Sequence, residues 1–152
     1  MTPEQILADE FDSLRLDIIA KHDELGMRAS GDFANSLENV QNRLSISLIG
    51  NSYVEQLVNG RAPGKFPPLE EIEKWIEDKG IQAIDISVSS LAFLIARKIA
   101  REGTEYFKQG GTDLLDSVIT PERIQSIIDK VSVFYVNDFV LKVTRELKAI
   151  SA

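Results

Sequence analysis

Apolar residues recur over the first 25 positions at Leu7, Phe11, Leu14, Ile18 and Leu25, with gaps of four, three, four and seven. That period puts side chains on one face of an α-helix. Thr2-Pro3-Glu4-Gln5 supplies its start: Thr2 can cap, Pro3 suits the first helical position, and Gln5 stands where a capping-box partner would. Gly26 marks its expected end. A polar stretch from Arg28 to Asn35 follows, with Ser30-Gly31-Asp32 as a turn signal, and Ser36 to Gly50 reads as extended. Leu44-Ser45-Ile46-Ser47-Leu48 alternates strictly, the period of a strand with one buried face. Residues 34–40 are a weaker strand candidate, and Asn39 to Asn42 a candidate hairpin turn.

Ser52 to Glu55 repeats the capping-box pattern ahead of a short helix with Tyr53, Leu57 and Val58. Asn59 to Pro68, NGRAPGKFPP, is too rich in Gly and Pro for regular structure. Pro68 and Gly80 bracket a helix with the stripe Leu69, Ile72, Trp75 and Ile76, and Glu70 can pair with Lys74 on its outside. On that stripe Trp75 is expected in the core, where Trp75→Ala would cost about 3–5 kcal/mol. A linker runs from Gln82 to Ser87. The next helix begins near Ser90, with Leu91, Leu94, Ile95 and Ile99 inward and Ala92, Ala96 and Ala100 permitting close packing. Gly103 weakens it, but it can run on through Phe107 to Gly110-Gly111.

Thr120-Pro121-Glu122 opens a last helix carrying Ile124, Ile127, Ile128 and Val131. Residues 131–144 are rich in β-formers, and Val131, Val133 and Tyr135 would alternate on a strand. Val131, Tyr135, Phe139, Val143 and Leu147 keep gaps of four for longer, which favours helix. The expected fold class is α+β. A small antiparallel sheet or hairpin over about residues 34–50 packs with several amphipathic helices, and the C-terminal half is mostly helical. One domain over 1–152 is expected, with a C-terminal helical segment 120–149.

Composition narrows the chemistry. The length of 152 residues suits one domain, and 43% hydrophobic with 27% charged residues is ordinary for a globular chain. There is no cysteine, so disulfides, thiolate zinc sites and cysteine nucleophiles are excluded. No apolar run approaches the ~18 residues of a membrane span. The acidic start MTPEQILADEFD lacks the basic and apolar regions of a signal peptide. Synthesis and folding in the cytoplasm are expected.

Net charge is −7, and residues 1–60 hold four Lys/Arg against ten Asp/Glu. Residues 61–108 hold eight of each. A mostly acidic surface repels phosphate backbones, so sequence-specific nucleic-acid binding is not expected, although patches near 61–65 or 97–101 can be locally positive.

His22, the one histidine, sits beside Asp23 and Glu24 and reads as a solvated helix end rather than a metal ligand or base. Glu70, Glu71, Glu73, Glu77 and Asp78 read as a solvated face; a catalytic pair needs a carboxyl with a raised pKa, usually from burial. Gly60-Arg61-Ala62-Pro63-Gly64-Lys65-Phe66 fails as a phosphate loop. Three residues separate its glycines instead of four, Phe66 follows the lysine, and Pro63 has no N–H to offer. The same segment admits two readings: a tight connection with Phe66 packed beside Trp75, or a preordered contact surface. Arg97, Lys98 and Arg101 form either the polar back of an amphipathic helix or a contact for an acidic neighbour, such as the acidic N-terminal third of another copy. No Gly-x-Ser-x-Gly and no acid–histidine partnership supports a nucleophile. No enzyme activity, metal or cofactor is expected.

The order of elements around the loop Gly60-Arg61-Ala62-Pro63-Gly64-Lys65-Phe66-Pro67-Pro68, then Ile72-Glu73-Lys74-Trp75-Ile76, Lys79-Gly80-Ile81, Ala96-Arg97-Lys98-Ile99 and Gly103-Thr104, resembles head–tail connector or tail-completion proteins of tailed bacteriophages, also called neck or minor tail proteins. The resemblance covers about residues 44–104. It implies a virion component rather than an enzyme: copies packed side by side in a homo-oligomeric ring between portal and tail, with portal, adaptor or tail proteins as neighbours. It places packaged DNA as an open question and no membrane nearby. Arg61, Pro63, Gly64, Lys65 and Phe66 match the family loop and become the candidate assembly contact; Arg97 and Arg101 of the basic strip are candidate contacts as well. The competing expectation is a small acidic cytoplasmic binding module, antitoxin-like or inhibitory.

Overall fold

The computed structural model describes residues 1–43 and 45–151. Its fold is α+β, in the order α1 (Pro3–Glu24), α2 (Asp32–Ser36), β1 (Glu38–Asn42), β2 (Ser45–Ile49), α3 (Val54–Asn59), α4 (Leu69–Asp78), α5 (Val88–Glu102), α6 (Glu105–Lys108) and α7 (Pro121–Ser151). The first helix starts as its sequence demands. Thr2 accepts from the Gln5 N–H at 3.2 Å while the Gln5 side chain accepts from the Thr2 N–H at 2.8 Å. Both bonds satisfy donors a helix start leaves orphaned.

β1 and β2 form an antiparallel hairpin in which Glu38 faces Ile49 and Asn42 faces Ser45. Ile46 and Leu48 are half-buried while Ser45 and Ser47 face out, as the alternation predicts; Leu44 lies outside the described residues. Two expectations here are corrected. Residues 32–36 are helical, so the strand begins only at Glu38, and Asn39 to Asn42 lie within it rather than in the turn. Gly31 in the left-handed region (φ 89°) starts α2, and the Ser36 hydroxyl bonds back to the Phe33 carbonyl at 2.7 Å. A local cap thus overrides a weak strand pattern.

The principal core joins Leu14 and Ile18 of α1, Met27, Phe33 of α2, Leu114 and Val118 of the connection after α6, and Ile127 of α7. α1 is its spine. The hairpin lies against α1, where Gln41 donates to the Glu4 carbonyl at 2.8 Å. The start of α7 lies on it too, with Arg123 bonded to Asp17 at 2.7 Å and Lys130 paired with Glu10. α4 and α5 pack as a helical pair around a separate small core, Ile76, Ala92 and Ala96.

That pair corrects several expectations. Trp75 is 41% exposed, whereas its neighbour Ile76 is wholly buried. Alanines, not leucines, form the buried line of α5: Ala92 and Ala96 are sealed while Leu94 is half-exposed. Small side chains let α4 approach closely, and the closest axis, not the largest side chain, then defines the interior. Lys74 reaches across to Asp32 at 3.0 Å instead of pairing with Glu70. Ser52 does not cap α3, which begins after Tyr53 without a side-chain cap. α5 does not continue to Phe107. It ends at Gly103, and Thr104 caps the separate α6.

His22 is also corrected. It is 3% exposed, with its ring stacked on Phe33 at 4.3 Å between centroids. Its Nδ1 has no hydrogen-bond partner, since Asp23 Oδ1 is 3.7 Å away. The turn after α1 folds Met27 and Phe33 over the helix end, which the linear sequence could not display. Burial holds the imidazole pKa below its usual value of about 6.5. Asp23 partly opposes this, while Arg28 and Lys79 add to it. The unfolded chain therefore takes up a proton near pH 6.5 that the folded chain resists, and stability present above that pH is lost as pH falls through it toward the folded value. The melting temperature should drop between pH 7.5 and 5.5 in wild type and stay level in His22→Leu. An equal drop in both would assign the effect elsewhere.

Candidate functional surface

The loop between α3 and α4 is fastened to the end of α5. Gly60 leaves α3 at φ 77° and ψ −175°, an extended mirror-image conformation open essentially to glycine alone. The Arg61 N–H then donates to the Thr104 hydroxyl at 2.9 Å, and the Thr104 N–H returns a bond to the Arg61 carbonyl at 3.0 Å. The Gly64 N–H donates to the Ala100 carbonyl at 2.9 Å, satisfying an acceptor that the end of α5 would leave open. Gly103 matches Gly60 in backbone (φ 79°, ψ 179°) and lets the Arg61 carbonyl pass close by. On the other side, Thr112 bonds the carbonyls of Leu57 and Val58, both at 2.7 Å. The loop is therefore held through its backbone at Arg61 and Gly64, and the end of α3 that leads into it is held at Leu57 and Val58, while most of the loop side chains remain exposed.

Those side chains join the strip on α5. Phe66 is exposed and lies 5.5 Å from Phe93, rather than stacked with Trp75 as one of the two readings of this segment has it. Arg97, Lys98 and Arg101 stand outward on α5 and share one exposed face of it with Leu94 and Glu102. The fold thus brings Pro63, Gly64 and Phe66 against the helix that carries Arg97 and Arg101, as one surface. Among the described residues, no carboxylate lies within ion-pair distance of Arg61, Lys65, Arg97, Lys98 or Arg101. Several cations elsewhere are paired, as in Arg15–Asp12 at 2.7 Å and Arg28–Asp23 at 2.6 Å. Glu102, the acid nearest in sequence, is engaged by Lys108 at 3.2 Å.

Guanidinium and ammonium groups, two aromatic rings and a stiff backbone can dock an acidic partner. Among the described residues, no group of three or more His, Cys, Asp and Glu is arranged to hold a metal ion. The acidic residues of α4 are mostly solvent-exposed, as their sequence predicts.

Sequence reasoning missed Phe93, and it picked out Gly103-Thr104 without their role in fastening the loop. It also missed the larger apolar surface of the molecule. Past Val131, α7 projects without covering contacts: Val133, Phe134, Tyr135, Val136, Phe139, Val140, Leu141, Val143, Leu147 and Ile150 are all exposed, Phe139 by 67%. The helical face expected there exists, but nothing within the chain packs on it. Its signal was present in the near-continuous apolar run from Val133 to Val143, since a helix apolar around most of its circumference needs cover on more than one side. No helix is long and apolar enough to cross a membrane among the described residues. Compared with protein-family models, curated proteins and solved structures, the chain matches none.

Proposed function

We propose that this chain is a non-enzymatic structural subunit of a tailed-phage virion, a connector or tail-completion protein that assembles as a ring between portal and tail. The observation that carries the reading is the outer half of α7. Ten large apolar side chains lie in water there, on a surface far larger than a monomer ordinarily exposes. A subunit built to be flanked by neighbours has a use for that surface. The preordered loop Arg61 to Phe66, joined to Arg97 and Arg101, supports the same reading: it is a contact whose ordering cost is met before docking. Its cations suit an acidic neighbour, either the acidic first third of another copy or a portal, adaptor or tail protein, with charge setting register as much as strength.

The double change Arg61→Ala with Lys65→Ala tests it. The fastening bonds of Arg61 use its backbone, so the variant should fold and melt as wild type. In a phage it should leave separate heads and tails. Normal joined particles at normal titre would reduce the loop to a simple connection. A solution mass near one or two chains at every concentration, without assembly on portal rings, would favour the small acidic binding module instead.

A further inference from the structure

The outer half of α7 carries two distinct apolar strips. Val133, Val136, Val140, Val143, Leu147 and Ile150 recur at three, four, three, four and three residues, an unbroken heptad seam. Each of them is at least 39% exposed. Phe134 and Leu141, seven residues apart, form a second strip, separated from the seam by Asn137 and Thr144. At ~100° per residue, the second strip stands roughly 130° around the helix from the middle of the seam.

We propose that this half of α7 is the contact between neighbouring copies of the chain, with the seam of one copy seated on the Phe134–Leu141 strip of the next and the helices parallel. The proposal rests on the ring reading above and names the faces that close the ring. A two-fold pair would use the same strip on both copies and leave the other strip in water; a rotational, head-to-tail contact uses both. The ten exposed side chains offer apolar surface on the order of 1,000 Å² per copy, which a head-to-tail ring divides between two contacts, the seam giving the larger share to one neighbour and the second strip a smaller one to the other. Charge agrees with the parallel arrangement. Glu146, at the edge of the seam, falls toward Arg145 of the next copy at nearly the same height. Among the described residues neither has an ion partner in its own chain, whereas the neighbouring Lys142 is already bound to Asp138 at 2.7 Å.

The cysteine-free chain makes the test direct. Val143→Cys and Leu141→Cys lie at exposed positions, so neither should disturb folding. Two residues apart on a helix, they point to different sides and cannot bridge within one chain. Under mild oxidation each single variant should stay uncrosslinked, a mixture of the two should give dimers only, and the double variant should give a ladder of covalent multimers up to the mass of the native ring. Dimers from Val143→Cys alone would overturn the proposal in favour of two-fold seam pairing. Rings of native mass with no ladder would also overturn it, while leaving the ring reading intact. A chain that stays monomeric at all concentrations would overturn it and hand the strips to a different protein or a lipid surface.

Discussion

Replacing Ile18 by alanine is expected to lower the unfolding free energy by about 2–5 kcal/mol. Ile18 is 1% exposed and sits on the inner face of α1 between Leu14 and His22, in the cluster that also holds Phe33, Leu114 and Ile127. Deleting its branched side chain leaves a cavity lined by residues from three separate segments, which cannot all move in to fill it. α1 also carries the hairpin and the start of α7, so the loss is felt throughout the fold. Trp75→Ala, at a half-open position in the smaller α4–α5 pair, should cost less, about 1–2 kcal/mol. Urea unfolding followed by far-ultraviolet circular dichroism checks both. If the tryptophan variant proved the weaker of the two, the interior of this protein would lie between α4 and α5 rather than along α1.

The second large effect belongs to two glycines. Gly60→Ala and Gly103→Ala should each destabilise by about 3 kcal/mol or more, combining a backbone conformation that costs ~1–3 kcal/mol for other residues with a collision. A Cβ on Gly60 would stand 2.1 Å from the backbone nitrogen of Phe107, and one on Gly103 would stand 2.8 Å from the Arg61 carbonyl oxygen. Both obstacles are backbone and cannot rotate away. Gly80→Ala is the control. It also has positive φ, 69°, but meets nothing within 4 Å, so it should cost only about 1–2 kcal/mol. Thermal melts of the three variants give the order. Because Gly60 and Gly103 hold the loop against α5, their variants should also lose assembly before they lose secondary structure. Equal stabilities for all three would mean that the loop is not fastened as described.

Much of this architecture was legible without coordinates, and the reason is that it is local. A capping box needs only Thr2 and Gln5 three residues apart, and the hairpin's second strand needs only alternation over Ser45 to Leu48. The stop at Gly26 and the start at Thr120-Pro121 are single-residue signals of backbone geometry. The helix through 131–144 was legible too, because a four-residue period sustained from Val131 to Leu147 outweighs the β-propensity of residues 131–136. The candidate surface was half legible. The Gly and Pro frame of the loop announced stiffness, but its partner on α5 lay some thirty residues away.

By itself, then, the chain determined where several helices begin and end, that a small hairpin would lie within about residues 34–50 though not where its first strand and turn fall, and that no cysteine chemistry was available. Periodicity states which residues share a face; it does not state which face meets another element. Tertiary structure alone decided that Ile76 and not Trp75 is interior, that His22 is sealed under Phe33, and that Lys74 reaches Asp32 across 42 positions. It alone decided that the apolar face of α7 finds cover as far as Val131 and none beyond. The physical reason is common to all four. Burial depends on how closely two backbones approach and where a third segment closes over them, and those distances are set by contacts between residues far apart in the chain.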